Sequence, residues 1–325
     1  MRMKSALLKR SESFWKLILS GTVVVCALTA IGCLGQVWWI LDLAVNFRVQ
    51  YLGCLSLAGL LFLAGKRWRC VAVCGVFALV NFVEILPSFV KPGDRPGPSP
   101  ASITLLLANV NSQNKEYHKV RELIDSTDPD IVVILEATST WMKELSPFEK
   151  KYPHVVSRPR EDNFGIALLS RFAFQESEVL ELGDAGFPSA MVRFETGGWE
   201  VTVIATHPFP PLGSVRSGYR NRQLEAVAKY VRSVEGPVVL VGDLNTTPWS
   251  PYFKRLLRRT GLRDSRRGQG IQGTWRGLPL IRLPLDHVLH SRDIATLRRE
   301  VGPAIGSDHL PVIVELALPE APGGS

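Results

Sequence analysis

Three long apolar runs dominate the first ninety residues of the chain. No Asp, Glu, Lys or Arg occurs at positions 17–41 or 49–65, and positions 70–90 contain a single one, Glu84. A helix needs about 20 residues to cross the hydrocarbon core of a bilayer, so the pattern predicts three transmembrane helices. A cleaved signal peptide is the alternative for the first run. We disfavour it because the run is longer than the apolar core of a signal peptide and two further runs follow.

The rest of the chain has the pattern of a mixed α/β domain. Positions 91–102 hold four prolines and two glycines, which predicts an extended linker. After it, short apolar runs alternate with segments of helical periodicity, which predicts a layered α/β sandwich. The expected domains are therefore a membrane module at 1–90, the linker, and a large domain at 103–320. Strands are expected at 103–110, 130–137, 164–171, 189–195, 199–207, 237–243, 285–290 and 311–318, and helices at 115–126, 219–234 and 250–259.

Composition and charge support this division. The 325 residues are 46% hydrophobic and 21% charged, which excludes an intrinsically disordered chain. All five cysteines lie in residues 1–94, so the large domain forms no disulfides of its own. Those 94 residues also hold ten Lys and Arg against four Asp and Glu, whereas the remainder holds 28 against 26. Because most of the net charge of +8 flanks the apolar runs, it is weak support for nucleic-acid binding.

The basic residues of the membrane module predict its orientation. Between the first two apolar runs the one basic residue is Arg48, near Asp42, whereas Lys66, Arg67 and Arg69 separate the second run from the third. Five more precede the first run: Arg2, Lys4, Lys9, Arg10 and Lys16. Cytoplasmic segments are enriched in Lys and Arg, so we expect a multi-pass protein of the inner or plasma membrane with a cytoplasmic amino terminus. With three crossings, the large domain lies outside the cytoplasm.

Polar residues capable of chemistry follow the predicted strands of the large domain. Each of them alone could be a cap or a turn residue. Their repetition predicts a single pocket, because functional groups gather on loops at one end of a rigid sheet. The residues are Asn109, Glu136, His207, Asp243, Asn245 and Asp286, with Asp308 and His309 in the turn GSDHLP.

The residue types in this set favour phosphoryl chemistry with a divalent metal. Oxygen ligands without a cysteine cluster suit Mg²⁺ or Mn²⁺ rather than structural zinc. Two histidines beside carboxylates suit the stabilisation of charge that develops on a phosphoryl group. No GxSxG precedes a helix, and neither a phosphate-binding loop ending in GK[ST] nor HExxH occurs. Nucleotide-binding and zinc-protease functions are therefore disfavoured.

In chain order, LLLANVN, VVILEAT, GIALLSR, ATH, VVLVGDLNTTP, PLDHVL and GSDHLPV resemble the endonuclease/exonuclease/phosphatase superfamily with its DNase I-like fold. The resemblance covers residues 103 to about 318. It implies a four-layer α/β sandwich that hydrolyses phosphoesters with a divalent metal. With three apolar runs in front, the chain looks most like the membrane-anchored branch that includes glycopeptide-resistance-associated phosphatases. Members of that branch are thought to act on polyprenyl pyrophosphate lipids.

The resemblance implies a metal site and a neighbouring departure from the family pattern. Glu136 matches the principal metal ligand of the family, and Asn109 and Asp308 would complete the environment of Mg²⁺ or Mn²⁺. The family commonly has Gln before that Glu, whereas this chain has Leu135. The substitution keeps the ligand and removes a polar neighbour.

The resemblance also implies the catalytic roles. Asp243 matches the residue that orients and deprotonates the attacking water, and Asn245 matches its partner. His309 matches the histidine that stabilises the charge of the transition state, and Asp286 matches the carboxylate that fixes this imidazole. His207 matches a second histidine in contact with phosphate. His287, next to Asp286, is expected to point to the other face of its strand and to be structural.

Three functions stay open at this stage. The first is a membrane-tethered lipid (pyro)phosphatase, whose partners are the bilayer and a phosphorylated lipid. The second is an extracytoplasmic nuclease. The basic segment 254–267 does not decide between them, because it could contact nucleic acid, contact anionic lipid or form a solvated helix face. The third is an inactive binding module, disfavoured because every implied catalytic position holds a competent residue. No obligate protein partner is implied.

Overall fold

A computed structural model describes residues 2–91, 101–278 and 281–318. The chain divides into two compact units, Met1–Pro87 with Trp249–Pro251, and Ser88–Pro248 with Tyr252–Ser325. Most of the predicted linker, and the predicted end of the large domain at residue 320, lie outside the described residues. The domain boundaries expected from the sequence therefore stay predictions.

The amino-terminal unit is helical. Its helices are α1 (Arg2–Gly32), α2 (Trp39–Val45), α3 (Arg48–Ala64) and α4 (Trp68–Ile85). The stretches Glu12–Gly32 and Trp68–Ser88 are long and apolar enough to cross a membrane. Helices α2 and α3 meet this test only together, and they are bent by 61° at the break between them. The unit therefore has two candidate crossings, or three if the bent pair crosses as one.

The first helix is shorter than the uncharged run 17–41. Helix α1 ends at Gly32, and turns follow before α2. A Cβ added at Gly32 would lie 3.0 Å from the guanidinium of Arg48, and one added at Gly35 would lie 3.3 Å from the backbone of Asp42. Glycine is unfavourable in the interior of a helix, and because it has no side chain it lets the chain turn back close to Asp42 and Arg48. The absence of charge marks an apolar segment but not the end of a helix.

A buried polar cluster joins three helices of this unit. The guanidinium of Arg48 donates to the carbonyl of Thr29 at 3.1 Å and to Oδ1 of Asn81 at 3.2 Å. Asn81 in turn donates to the hydroxyl of Thr29 at 3.0 Å. In apolar surroundings, polar groups must find partners within the protein. The cluster therefore fixes the packing of α1, α3 and α4.

The second unit contains two six-stranded sheets. Their strand orders are β13-β14-β1-β2-β4-β3 and β5-β6-β7-β8-β12-β9. The pairs β1–β2 and β7–β8 are parallel, and the other pairs are antiparallel. A small hairpin, β10–β11, stands apart from both sheets. The strands are β1 (Ser102–Asn109), β2 (Ile131–Leu135), β3 (His154–Arg158), β4 (Ile166–Ser170), β5 (Phe174–Glu181), β6 (Pro188–Thr196), β7 (Trp199–Thr206), β8 (Val238–Asp243), β9 (Arg263–Asp264), β10 (Trp275–Leu278), β11 (Ile281–Leu283), β12 (Asp286–His290), β13 (Ala295–Val301) and β14 (Val312–Ala317).

Helices cover the outer faces of the two sheets. Along β1, Leu105 and Leu107 face the core between the sheets, whereas Leu106 and Ala108 face the helices. This alternation follows from the two-residue period of a strand. The first sheet packs on α5 (Tyr117–Thr127) and α6 (Ser139–Leu145), and the second on α7 (Ser214–Ser233) and α8 (Pro251–Thr260). The result is the four-layer α/β sandwich expected from the sequence, with the DNase I-like arrangement of two sheets.

Every predicted strand and helix of this unit is present, with ends shifted by a few residues. Three longer strands were not predicted, namely β3, β5 and β13. β5 has the sequence FQESEVLE, and β5 and β13 are edge strands with at most one buried position each. Edge strands carry charged side chains, so they lack the apolar alternation that marks a buried strand.

Candidate active site

The predicted site residues meet at one end of the sandwich. The parallel pairs place the ends of β1 and β2, and those of β7 and β8, at common edges. Asp286 on β12 lies directly opposite Asp243 on β8. Six of the predicted residues line an open cavity of about 400 Å³: Glu136, His207, Asp243, Asn245, Asp308 and His309. The other two, Asn109 and Asp286, are hydrogen-bonded to members of this set.

Asp243 is the centre of the arrangement. Its Oδ2 accepts a hydrogen bond from Nδ2 of Asn109 at 3.3 Å and lies 3.4 Å from Nε2 of His207 and 3.5 Å from Nε2 of His309. Its Oδ1 accepts the backbone N–H of Asn245 at 3.0 Å. Burial opposes ionisation, but the two histidines and these donors lower the pKa of Asp243 to about 2. The carboxylate therefore stays charged at neutral pH.

Glycine at position 242 sets the approach of Asp243 to the neighbouring strand. A Cβ added at Gly242 would lie 1.9 Å from the carbonyl oxygen of Thr206, at the end of β7. Only glycine allows the two strands to run this close. Since His207 follows Thr206 directly, the close approach also brings His207 to Asp243.

His309 lies between two carboxylates. Its Nδ1 is 2.8 Å from Oδ2 of Asp286, and its Nε2 faces Asp243. Burial opposes protonation, but Asp286 and Asp243 raise the pKa of His309 to about 10. One nitrogen or oxygen atom from each of Asp243, Asp286 and His309 lies within 4.8 Å of the other two, which is close enough for all three to contact one metal ion. A protonated imidazole cannot coordinate a metal, so we interpret the trio as a charged hydrogen-bonded unit.

His207 faces Asp243 from another side. The imidazole is buried, and its pKa is raised because Asp243 and Glu136 outweigh the effect of burial. Among the described residues its Nδ1 has no hydrogen-bond partner. A protonated His207 would thus have one N–H held by Asp243 and a second, buried N–H without a partner among the described residues.

Glu136 follows β2 in a backbone conformation that side chains rarely adopt, with φ of 60°. Its Oε2 accepts the backbone N–H of Ser112 at 3.1 Å. A Cβ on Gly165 would lie 1.9 Å from the carbonyl of Ala137, so the residue just before β4 must approach without a side chain. Such strain is held in place where it orients a functional group, and here the carboxylate faces the cavity.

The described part of the chain leaves two site carboxylates without a Lys or Arg partner. Glu136 is only 8% exposed and forms no salt bridge there. Asp308 accepts hydrogen bonds from Nδ2 of Asn111 at 3.0 Å and Nε1 of Trp275 at 3.1 Å, both neutral donors. A buried carboxylate without a cation is costly, which a bound metal relieves. Glu136 and Asp308, with the amide oxygen of Asn109, form the oxygen donor set that suits Mg²⁺ or Mn²⁺.

A profile of the endonuclease/exonuclease/phosphatase family matches residues 106–309. The chain belongs to this family. Members of the superfamily are hydrolases that act on phosphoester bonds. No curated protein matches the sequence closely enough to count as a relative.

Solved structures share the fold of the large unit at low sequence identity. A family protein from Bacteroides vulgatus is 18% identical with a TM-score of 0.57, covering 67% of this chain and 99% of its own. One from Bacteroides thetaiotaomicron is 19% identical with a TM-score of 0.54, covering 67% and 95%. D. rerio TDP2, solved with a single-strand DNA product, is 14% identical with a TM-score of 0.56, covering 66% and 99%. At these identities the likeness concerns the fold alone.

Sequence reasoning missed three residues of this family site. Asn111 and Trp275 hold Asp308, and Asn163 lines the cavity. Asn111 and Asn163 have φ of 60° and 67°, a left-handed conformation that asparagine adopts more readily than most residues with a side chain. Trp275 lies next to a predicted basic segment, and its position against the turn of His309 depends on a bridge between distant parts of the chain. No local pattern could have indicated that contact.

The basic segment 254–267 is partly neutralised by ion pairs. Arg266 is buried and lies 3.2 Å from Asp264, and Arg259 pairs with Glu225 on α7. Phe253, one of the aromatic residues beside the segment, is buried in the core. Arg266 and Phe253 are therefore part of the folded core, whereas Arg259 is paired at the surface.

His287 is structural, as its position on the strand predicted. Its ring is fully buried, 4.5 Å from that of Phe253, and its Nε2 is 2.8 Å from the carbonyl of Thr246. Burial lowers its pKa to about 4, so the imidazole is neutral at pH 7.

Proposed function

We propose that the protein is a membrane-anchored, divalent-metal-dependent phosphohydrolase whose substrate is a lipid pyrophosphate of the polyprenyl type. The observation that carries the chemistry is the Asp243 carboxylate, held between two imidazoles in a cavity where Glu136 and Asp308 have no Lys or Arg partner among the described residues. This set of groups can activate water and stabilise a phosphoryl group without a covalent intermediate.

In the proposed reaction, Asp243 orients a water molecule and accepts its proton as the oxygen attacks phosphorus. Protonated His309 and His207 donate hydrogen bonds to the phosphoryl oxygens, where negative charge grows in the transition state. Asp286 holds His309 in its charged form and fixes the plane of the ring. Asn245 donates its side-chain amide to the carbonyl of Pro208, which braces the loop next to His207.

Glu136 and Asp308, with Asn109, are the residues that would hold Mg²⁺ or Mn²⁺. When bound, the ion supplies Lewis-acid stabilisation of phosphoryl oxygens. The carboxylates that lack a basic partner support this assignment.

The helical unit supports a membrane location and an outward-facing catalytic domain. If only two segments crossed, the cluster Lys66, Arg67 and Arg69 would lie opposite the basic amino terminus, against the usual distribution of positive charge. Three crossings, with α2 and α3 as one bent span, place both clusters in the cytoplasm. The catalytic domain then lies outside, where tethering confines it to substrates of the membrane surface.

An extracytoplasmic nuclease is the second candidate, because the family includes nucleases and one structural neighbour holds single-strand DNA. Two observations weigh against it. The part of the chain after residue 94 carries only two more basic than acidic residues. Its most basic segment is partly engaged in ion pairs within the fold.

The two candidates are separated by parallel assays on the full-length protein in detergent. Phosphate release from a polyprenyl pyrophosphate is measured beside nicking of plasmid DNA, each with Mg²⁺ or EDTA and with His309→Ala as the control. Metal-dependent phosphate release that the variant loses, with intact plasmid, supports the lipid phosphatase. Nicking without phosphate release would overturn it in favour of the nuclease.

A further inference from the structure

Four aromatic rings form a continuous wall beside the active-site cavity, and two of them, Phe164 and Phe209, line it. Phe164 stacks on Phe187 with ring centroids 3.6 Å apart, and Phe209 packs edge-on against both at 5.1 and 4.5 Å. Tyr219 extends the row, 5.7 Å from Phe209. Phe164 also lies 5.4 Å from the ring of His207. This aromatic wall begins at the catalytic histidine and has no part in the reaction described above.

The loop that follows His207 continues the apolar surface. Among the described residues from 101 onward only four large hydrophobic side chains are exposed, and two of them lie in this loop or in the first turn of α7 that follows it. Leu212 is 62% exposed and Val215 is 67% exposed. Prolines at 208, 210 and 211 restrict the backbone before Leu212, and helix α7 holds Val215, so both exposed side chains lie on ordered backbone. Exposed apolar groups beside a pocket are typical of a binding surface.

Charge along this surface is balanced except at one residue. Arg160 pairs with Asp162, and Arg222 pairs with Asp184 at 2.7 Å. Arg216 is exposed, lines the cavity and lies 5.9 Å from the ring of Phe209. Among the described side chains it has no carboxylate partner.

We infer that the loop segment 208–216, which comprises the loop after His207 and the first turn of α7, binds the apolar chain of the substrate together with the aromatic wall, and that Arg216 binds the phosphate to which the chain is attached. The inference rests on the proposed function and names the residues that select its substrate. In the hydrolysis, a water oxygen bonds to the terminal phosphorus and the bond to the bridging oxygen breaks. The bridging oxygen keeps the electron pair and leaves on the chain-linked phosphate. Arg216 lines the same cavity and can neutralise this added charge.

The composition of the surface favours a hydrocarbon chain over a nucleobase. Single-stranded nucleic acids bind to aromatic rings placed along a track of unpaired cations. Here two of the three arginines near the wall, Arg160 and Arg222, are neutralised by aspartates. The most exposed side chains, Leu212 and Val215, are aliphatic. An isoprenoid chain finds apolar contact along the whole surface and needs one cation at its head.

Chain-length dependence tests the inference. Phosphate release by the full-length protein is measured with a five-carbon and a fifteen-carbon prenyl diphosphate. In the double variant Leu212→Ser/Val215→Ser, we expect kcat/KM to fall at least tenfold for the longer substrate and less than twofold for the shorter one. Leu297→Ser is the matched control, because Leu297 is 52% exposed on the edge strand β13. Arg216→Ala should lower kcat/KM for both diphosphates by a similar factor.

A second measurement does not depend on turnover. Calorimetry in EDTA compares the binding of the fifteen-carbon prenyl monophosphate to His309→Ala with and without the two loop substitutions. We expect at least tenfold weaker binding with them. Equal effects on the two chain lengths, unchanged binding, or a selective loss of single-strand DNA binding would overturn the inference. If no diphosphate is hydrolysed but binding depends on the loop, the proposed hydrolysis fails and the loop assignment stands.

Discussion

Nδ1 of His309 lies 2.8 Å from Oδ2 of Asp286, and both side chains are buried. The contact joins the strand β12 to the turn that carries His309, two parts of the chain about twenty residues apart. It keeps the imidazole charged in a site where burial alone would neutralise it. The charge on His309 therefore depends on a residue that does not line the cavity.

Asp286→Asn should lower kcat by about a hundredfold or more, the usual contribution of a positioned acid or base, with a smaller effect on KM. The amide keeps the shape of the carboxylate but removes its charge, so the pKa of His309 falls toward its ordinary value. Because the folded pKa is raised in the wild type, activity that needs protonated His309 should persist to about pH 10 and fall above it. In the variant the decline should begin at lower pH. A pH–rate profile with an unchanged alkaline limb would contradict this role.

Glu136→Gln should raise the Mg²⁺ concentration for half-maximal activity by about tenfold, since the charged ligand is lost while the hydrogen bond from Ser112 can persist. The melting temperature measures metal binding without depending on activity. Mg²⁺ should stabilise the wild type relative to EDTA and should stabilise the variant much less. Glu178→Gln, an exposed residue of β5, is the control. Equal stabilisation of wild type and Glu136→Gln would remove Glu136 from the metal site.

Trp275→Phe should reduce activity about tenfold at limiting Mg²⁺, the factor for a lost hydrogen bond to a charged group. The indole N–H holds Oδ2 of Asp308 at 3.1 Å, and phenylalanine cannot replace it. Excess Mg²⁺ should restore part of the activity, because the ion can compensate for a mobile ligand. The titration of initial rate against Mg²⁺ tests this. A curve identical to that of the wild type would show that Asp308 needs no support from Trp275.

Because His287 is buried and neutral, the free energy of unfolding of the protein should fall in mild acid. Its pKa is lowered to about 4 by burial, whereas the unfolded chain has the ordinary value of about 6.5. Above pH 6.5 both states are neutral and the stability is complete. As the pH falls from 6.5 to 4, the unfolded state takes up a proton that the folded state resists, which costs up to about 3 kcal/mol.

The apparent melting temperature at pH 7.5 and pH 5 tests this in detergent. The wild type should lose several degrees more than His287→Gln, in which the amide can still donate to Thr246. Parallel losses in the two proteins would assign the acid sensitivity to other groups.

Regular, buried elements could be predicted from the sequence. The alternation of Leu105 to Ala108 marks β1 because its two faces are covered by different layers. The polar residues at strand ends were predictable for the same reason, since a buried strand must end before them. The exposed strands β5 and β13 were not, because solvent imposes no alternation on them.

The finer parts of the site depend on contacts that no local pattern encodes. Glu136 has a φ of 60°, and Gly165 approaches the carbonyl of the next residue, Ala137, without a side chain. The aromatic wall joins Phe164, Phe187, Phe209 and Tyr219, which lie on separate segments and look like ordinary core residues in the sequence. The break after Gly32 reflects the return of the chain past Arg48. Such features follow from tertiary packing.

The central claim is that Asp243 and a divalent metal act together in phosphoester hydrolysis. The most direct test is the rate of hydrolysis by the full-length wild type and by Asp243→Ala and His309→Ala, each in Mg²⁺ and in EDTA. The account predicts hydrolysis by the wild type in Mg²⁺ only, and a loss of about a thousandfold in each variant at an unchanged melting temperature. Retention of activity by folded Asp243→Ala would contradict the account.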